Sequence, residues 1–155
     1  MIMRRIRRKY KRPKRPWDSS RIEEEARLIR EFGLKRKREI WRAESIVREF
    51  RRRARELIAV KDEEKTKVLL DKLVELGLLK KGEGLEQVLA LTTNDILNRR
   101  LQTIVFRKGY ASSIKEARQK IAHGHIYVEG RAVKFPSYLV PVKREGLIQV
   151  KGGKK

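Results

Sequence analysis

The apolar pattern of this chain changes period once, at Gly124, and that change limits the fold more than any other feature. Upstream, from about Thr93, the residues Ile96, Leu97, Leu101, Ile104 and Val105 recur at helical spacing as far as Gly109, which suits the left-handed end of a helix. A second helix is predicted at once: Ser113 and Glu116 make a capping box, Ile114, Ala117 and Ile121 a narrow apolar stripe, and Gly124 the stop. Beyond Gly124, Ile126 and Val128 alternate with His125 and Tyr127, Glu129-Gly130 fits a tight turn, and Ala132-Val133 returns as the second arm of a hairpin. Tyr138 to Val142 and Leu147 to Val150 read as two further short strands, parted by a turn from Lys143 to Gly146. Residues 97–150 are thus expected to form a module of two helices and a short antiparallel sheet.

The preceding chain is helical throughout. Asp18 to Ser20 offer N-caps to a helix holding Ile22, Ala26, Leu28, Ile29 and Phe32, with Glu23, Glu24 and Glu25 in its first turn and Gly33 at its end. A long helix from about Arg36 to Val60 has Ile40, Trp41, Ile46, Val47, Phe50, Ala54, Leu57 and Ile58 on its buried face, with Trp41 read as core packing. A third, capped by Asp62 and ended by Gly77, turns Val68, Leu69, Leu73, Val74 and Leu76 inward. Lys80 to Gly84 is a break, after which Leu85 to Leu91 leads into the module. The expected fold class is α+β: a basic extended arm at 1–16, a helical lobe at 17–96, the module at 97–150 and a basic tail at 151–155. A chain of 155 residues can bury roughly two thirds of its unfolded surface.

Charge then points to the partner. Lys and Arg number 42 against 20 Asp and Glu, a net +22, and the excess lies in blocks. Residues 1–16 hold nine bases and no acid, 35–55 hold ten bases and three acids, and 99–131 hold eight bases and two acids. The segments between carry −2 over 17–34 and −1 over 57–89, so charge is not spread for solubility alone. Nucleic acid is the default partner, with an anionic membrane surface the weaker rival. The arm, with Pro13 and Pro16 opposing helix, offers Arg4, Arg5, Arg7, Arg8, Lys9, Lys11 and Arg12 to an RNA backbone, and Tyr10 for stacking. The long helix offers Arg36, Arg38, Arg48, Arg51, Arg52, Arg53 and Arg55 around most of its exposed circumference. In the module, Arg99, Arg100, Arg107, Lys108, Lys115 and Arg118 are candidates for phosphates, and Gln102 and Gln119 for base edges or riboses. Ser112 and Ser113, with the free amides opening the second helix, make an anion site. His123 and His125, at the C-terminal end of that helix, are further candidates for RNA contact.

No catalytic constellation assembles. The chain has no Cys, which excludes disulfides, thiol catalysis and Cys-based zinc sites, and its two His have no third ligand spaced to join them. No Ser stands in a nucleophile-elbow pattern, and Gly82 and Gly84 lack the Lys-Ser/Thr of a phosphate loop. Neither a membrane-length apolar run nor the apolar segment of a signal peptide follows the basic N-terminus, so a cytoplasmic location is expected.

The strings RRLQTIVFRKG at 99–109, SSIKEARQKIAHGHIYVEGRAV at 112–133 and PSYLV at 136–140 resemble the RNA-binding domain named after small-subunit ribosomal protein S-four. Tyr10, Pro13, Pro16, the helix at 21–32, GLKRKREIWR at 33–42 and RRRARELI at 51–58 extend the resemblance to the archaeal and eukaryotic type of that family, over nearly the whole chain. The resemblance implies a structural, non-catalytic constituent of the small ribosomal subunit. It would be a primary binder of the five-prime domain of small-subunit rRNA, beside other small-subunit proteins and near the mRNA entrance. It also places Arg107, Ser112, Arg118, Gln119, His123 and His125 on the RNA face, with Arg99 and Arg100 beside them. Bacterial relatives often carry a zinc-binding Cys segment that this chain lacks, so no metal or cofactor is expected. Glu129-Gly130 stands where the family often has Asn-Gly, and Phe135 before Pro136 is bulkier than usual. Rival classes are a stand-alone accessory factor acting on ribosomal subunits or tRNA, a DNA-packaging protein, and a pseudouridine synthase, for which the 96 residues before Leu97 are too few.

Overall fold

One long helix organises the N-terminal half. The computed structural model describes residues 9–151, and in it α1 (Ser19–Glu31), α3 (Glu63–Glu75), α4 (Leu85–Ala90) and α5 (Thr93–Asn98) all pack on α2 (Lys37–Val60). Ile40, Ala43, Val47, Phe50 and Ala54 repeat along one face of α2 and are buried. They meet Leu69 and Leu73 of α3, Val88 of α4, and Ile96 and Leu97 of α5 in a single core. Lys61 ends α2 in the left-handed conformation, and the Asp62 side chain caps α3 by accepting from the Lys65 amide at 3.1 Å. Two expected inner residues face out: Val68 is 70% exposed and Ile58 45%. Val68 sits about 100° around the helix from Leu69, off the stripe that Leu69 and Leu73 define. In α1 the helix begins at Ser19, so Glu23 to Glu25 fall after its first turn. Glu25 is buried there, accepting from Trp41 Nε1 at 2.8 Å and Arg21 Nε at 3.0 Å.

The second core belongs to the C-terminal module. It gathers Leu101, Ile104 and Val105 of α6 (Leu101–Arg107), Ala117 and Ile121 of α7 (Ile114–Ala122), Ile126 and Val128 of β1 (Ile126–Val128) and Ile148 of β3 (Ile148–Val150). The sheet is antiparallel, with β1 between β2 (Arg131–Ala132) and β3, and Val128 pairs with Arg131 across the hairpin. Glu129 and Gly130 both take positive φ, 52° and 75°, the geometry of a two-residue hairpin turn whose twist matches its strands. The fold class is α+β.

Two expected elements are corrected. The helix predicted from Thr93 to Gly109 is broken at Arg99-Arg100, where Arg100 is extended and bridges Leu139. Leu101 N donates to Tyr138 O at 2.7 Å and Val140 N to Arg99 O at 3.1 Å, replacing the lost helical bonds. The apolar spacing is helical on both sides of the break, but Ile96 and Leu97 serve the first core and Leu101, Ile104 and Val105 the second. One straight helix would not face both. Tyr138 to Val142 is likewise not a strand beyond that bridge. Pro141 has no N–H for a ladder and precedes a helical turn, α8 (Val142–Glu145).

Candidate nucleic-acid interface

The two cores are joined by a polar knot around Glu39, in the first turn of α2. Its Oε2 accepts from Arg100 Nη2 at 2.6 Å and Arg118 Nη1 at 3.1 Å, while Oε1 accepts from Arg118 Nη2 at 3.1 Å and the Lys35 amide at 3.1 Å. Burial pushes the Glu39 carboxyl up, but the hydrogen bonds from Arg118 and Arg100 outweigh it and hold the group at about 2. Beside it, Gln102 Nε2 lies 3.0 Å from Ile114 O, 3.1 Å from Gly33 O and 3.3 Å from Phe32 O. The end of α1, the start of α2, α6 and α7 are therefore pinned at one place.

This geometry divides the predicted binding residues. Arg100 and Gln102, expected on a basic face, are 4% and 1% exposed and satisfy the joint instead. The reason is the helix break, which leaves polar groups between two apolar cores, where they must be paired. Arg118 is forked on Glu39, and Arg99 donates to Glu145 at 2.9 Å and Val140 O at 2.7 Å. Arg51 bonds the Leu91 carbonyl and Lys108 that of Glu145. Ser112 does not face an empty anion site: its amide and hydroxyl both donate to the Glu116 carboxylate, which fills the opening of α7. Hydrogen bonds from Lys120, then from Ser112, hold Glu116 at about 2. Ser113 Oγ accepts from the Glu116 amide at 3.2 Å, as an N-cap.

The remaining candidates are on the surface. Lys9, Lys11, Arg12, Arg36, Arg38, Arg48, Arg52, Arg53 and Arg55 are exposed, as are Arg107, Lys115, Gln119, His123 and His125. Their acidic neighbours along α2, such as Glu56 at 2.7 Å from Arg52, are exposed i,i+4 partners, a pairing weak enough for phosphate to displace. Arg107 bonds Asn98 at 3.0 Å at the surface, and the His123 and His125 rings stack 6.2 Å apart. Lys9, Tyr10 and Lys11 lie in a groove along α2 with Arg42, Arg48 and Arg52, and the Tyr10 ring is tilted against Trp41 at 5.9 Å. Arg4, Arg5, Arg7 and Arg8 fall outside the described residues. Arg118 of α7 is fixed to the start of α2 and lines one cleft with the exposed Lys35, Arg36, Arg38 and Arg42, while Lys115 and Gln119 are exposed on the same short helix. Among the described residues no three His, Asp or Glu side chains gather as metal ligands.

Sequence reading missed Glu39 as the hub, and missed Lys35, Arg42 and Ser137, which with Tyr10, Arg36 and Arg38 surround a cleft between the cores. One signal was present: Arg38, Arg42 and Ile46 are spaced i, i+4, i+8, a stripe with two cationic turns and one apolar turn.

Residues 4–98 match the family described as ribosomal protein S4/S9 N-terminal domain, and residues 99–145 match the S4 domain, so the two matches meet at the helix break. The chain is 48% identical to small ribosomal subunit protein uS4 of Methanothermobacter thermautotrophicus over 140 residues, 88% of this chain and 82% of the relative. To the uS4 proteins of Ignicoccus hospitalis and Korarchaeum cryptofilum it is 47% and 46% identical, over 94% and 95% of its own length and 89% and 90% of theirs. Matches this long, joined at the one place where the cores separate, mean that the chain belongs to the small ribosomal subunit protein uS4 family.

Proposed function

We propose that this uS4-family chain, a non-enzymatic constituent of the small ribosomal subunit, holds the five-prime domain of small-subunit rRNA across the joint between its two lobes. The observation that carries this reading is the Glu39 pair to Arg118, which holds α7 against the start of α2 where Lys35, Arg36, Arg38 and Arg42 are exposed. Arg36, Arg38, Arg48, Arg52, Arg53 and Arg55 of α2, with Arg107, Lys115, Gln119, His123 and His125 of the module, are the residues we assign to RNA, joined by the arm through Lys9, Lys11 and Arg12. Affinity would come mainly from counterion release, and specificity from the fixed angle between lobes, which fits one RNA shape. Arg99, Arg100, Gln102 and Arg118 serve this surface indirectly, by setting that angle. The module is taken to begin at Arg99-Arg100, the helical lobe to precede it, and residues 1–16 to act as an arm. Messenger RNA near the entrance is a further strand for the same cations. The corner of α2 and α3, where Ile58, Val60 and Val68 are exposed in a segment of charge −1, is the surface we assign to neighbouring small-subunit proteins.

The test is binding to a transcript of the five-prime domain against an unrelated structured RNA of equal length, across a salt series. Both complexes weaken as salt rises. A cognate advantage that persists at high salt is the expected result; coincident curves would reduce the chain to a nonspecific polyanion binder.

A further inference from the structure

The cleft between the cores has a volume of about 410 Å³, within the roughly 300–1,000 Å³ of small-ligand sites. Its floor is apolar, built from Ala43, Ile46, Ile96, Leu97 and Leu139, and Tyr10 stands at its side. Its lip is cationic, with Lys35, Arg36, Arg38 and Arg42 all exposed. The single carboxylate in the lining, Glu39, is already engaged by Arg100 and Arg118, so it leaves the lip's positive charge uncancelled. Arg100 also lines the cleft, but its side chain is 5% exposed and its Nη2 is held by Glu39, so it supports the wall and adds no free cation to the lip. Phosphate contacts alone require neither an apolar floor nor an aromatic side wall. A base with its phosphate requires both these and the cations, because its faces are apolar and its backbone is anionic.

We propose that this cleft receives one unstacked nucleotide of the rRNA, its base against Tyr10 and the Ile46–Leu139 floor and its phosphate at Arg36, Arg38 and Arg42. The proposal rests on the rRNA-binding reading above, and adds to it a site that reads a single extruded base where the rest of the surface reads backbone. Arg42 and Ser137 become contact residues by this assignment.

Filling the cleft tests it. Ile46→Trp places an indole over the floor while leaving every cation in place. The expected result is a loss of affinity for the five-prime-domain transcript of roughly 5- to 150-fold, the value of one stacked base. The salt slope should stay as in the wild type, because no phosphate contact is lost. Binding to the unrelated structured RNA should not change. If Ile46→Trp binds the cognate transcript as tightly as the wild type, the cleft holds no base and the proposal falls, while the rRNA reading stands. If instead the wild type itself fails to prefer the cognate transcript, the rRNA reading falls and takes the proposal with it. Should Ile46→Trp lower the thermal midpoint, Ser137→Trp at the exposed lip, where no buried packing depends on the side chain, is read in its place against the same outcomes.

Discussion

Replacing Glu39 by glutamine keeps the volume of the joint and removes its charge. In the native joint the carboxylate lies 2.6 Å from Arg100 Nη2 and 3.1 Å from each terminal nitrogen of Arg118. The Arg100 side chain is 5% exposed, that of Arg118 27% and that of Glu39 19%. Glutamine can accept through one oxygen but turns an amide donor toward a guanidinium. Breaking a buried ion pair by removing one member costs about 3–5 kcal/mol, because the other charge stays buried. Arg118 reaches water and can rehydrate, so the Arg100 half of the pair dominates and Glu39→Gln should cost about 2–4 kcal/mol. Urea unfolding at neutral pH, followed by circular dichroism, measures it. A loss under about 0.5 kcal/mol, the range of an ordinary surface change, would refute the assignment of Glu39 as the hub.

Acid gives a second reading of the same pair. The Glu39 carboxyl is lowered from 4.5 to about 2 in the folded chain, so its contribution to stability is complete above pH 4.5 and is lost as pH falls toward 2. The gap between those values corresponds to roughly 3 kcal/mol, an upper figure because the group keeps some contact with water. Wild type and Glu39→Gln should therefore differ most at neutral pH and converge through that acid window. Parallel stability curves from neutral pH to 2 would mean the carboxylate is not held by the two arginines.

Gln102→Leu should destabilise by about 1–3 kcal/mol, read from the urea midpoint, because the carbonyls of Gly33 and Ile114 lose a buried donor. Gly33→Ala should cost more than the usual glycine-to-alanine exchange, about 2 kcal/mol or above: φ is +56°, and the added Cβ would meet Ile114 Cγ2 at 2.7 Å. Arg52→Gln should lower the slope of log affinity against log salt by about 1 with unchanged stability, as for a lost phosphate contact. Arg99→Gln should do the reverse, lowering the urea midpoint with little effect on the slope, because its partners are Glu145 and the Val140 carbonyl.

What the sequence made legible was whatever a local pattern decides. The stripe of α2 apart from Ile58, the stripe of α7, the Asp62 cap and the Glu129-Gly130 turn each depend on residues a few positions apart and form as expected. Of the capping box at Ser113 only the Ser113 half forms, because the Glu116 carboxylate accepts from Ser112 instead of the Ser113 amide. The break at Arg99-Arg100 was hidden because the apolar spacing stays helical across it; only the presence of two cores, one on each side, forces the bend. The strand expected at Tyr138 to Val142 failed for a related reason: one β-bridge to Arg100 is all the bend requires, and Pro141 ends it. The candidate site divided along the same line. Arginines on the open turns of α2 were placed correctly on the surface, whereas the fate of Arg100 and Arg118 depended on Glu39, 61 and 79 residues away, and that of Gln102 on the carbonyls of Gly33 and Phe32, 69 and 70 residues away.

That division also bounds the electrostatics. A net charge of +22 suggests a large number of phosphate contacts, yet Arg51, Arg99, Arg100, Lys108 and Arg118 spend donors on carbonyls or carboxylates of the chain itself. A donor held in that way releases no counterion when RNA arrives, so the salt slope should follow the exposed cations and fall below what composition implies. The internally bonded arginines act one step earlier: they fix the angle at which the α2 and α7 faces meet. Weakening Glu39 should therefore reduce preference for the cognate transcript without reducing the salt slope, whereas removing Arg38 or Arg52 should reduce the slope for every RNA alike. Loss of slope on Glu39→Gln would place Arg118 among the phosphate contacts instead.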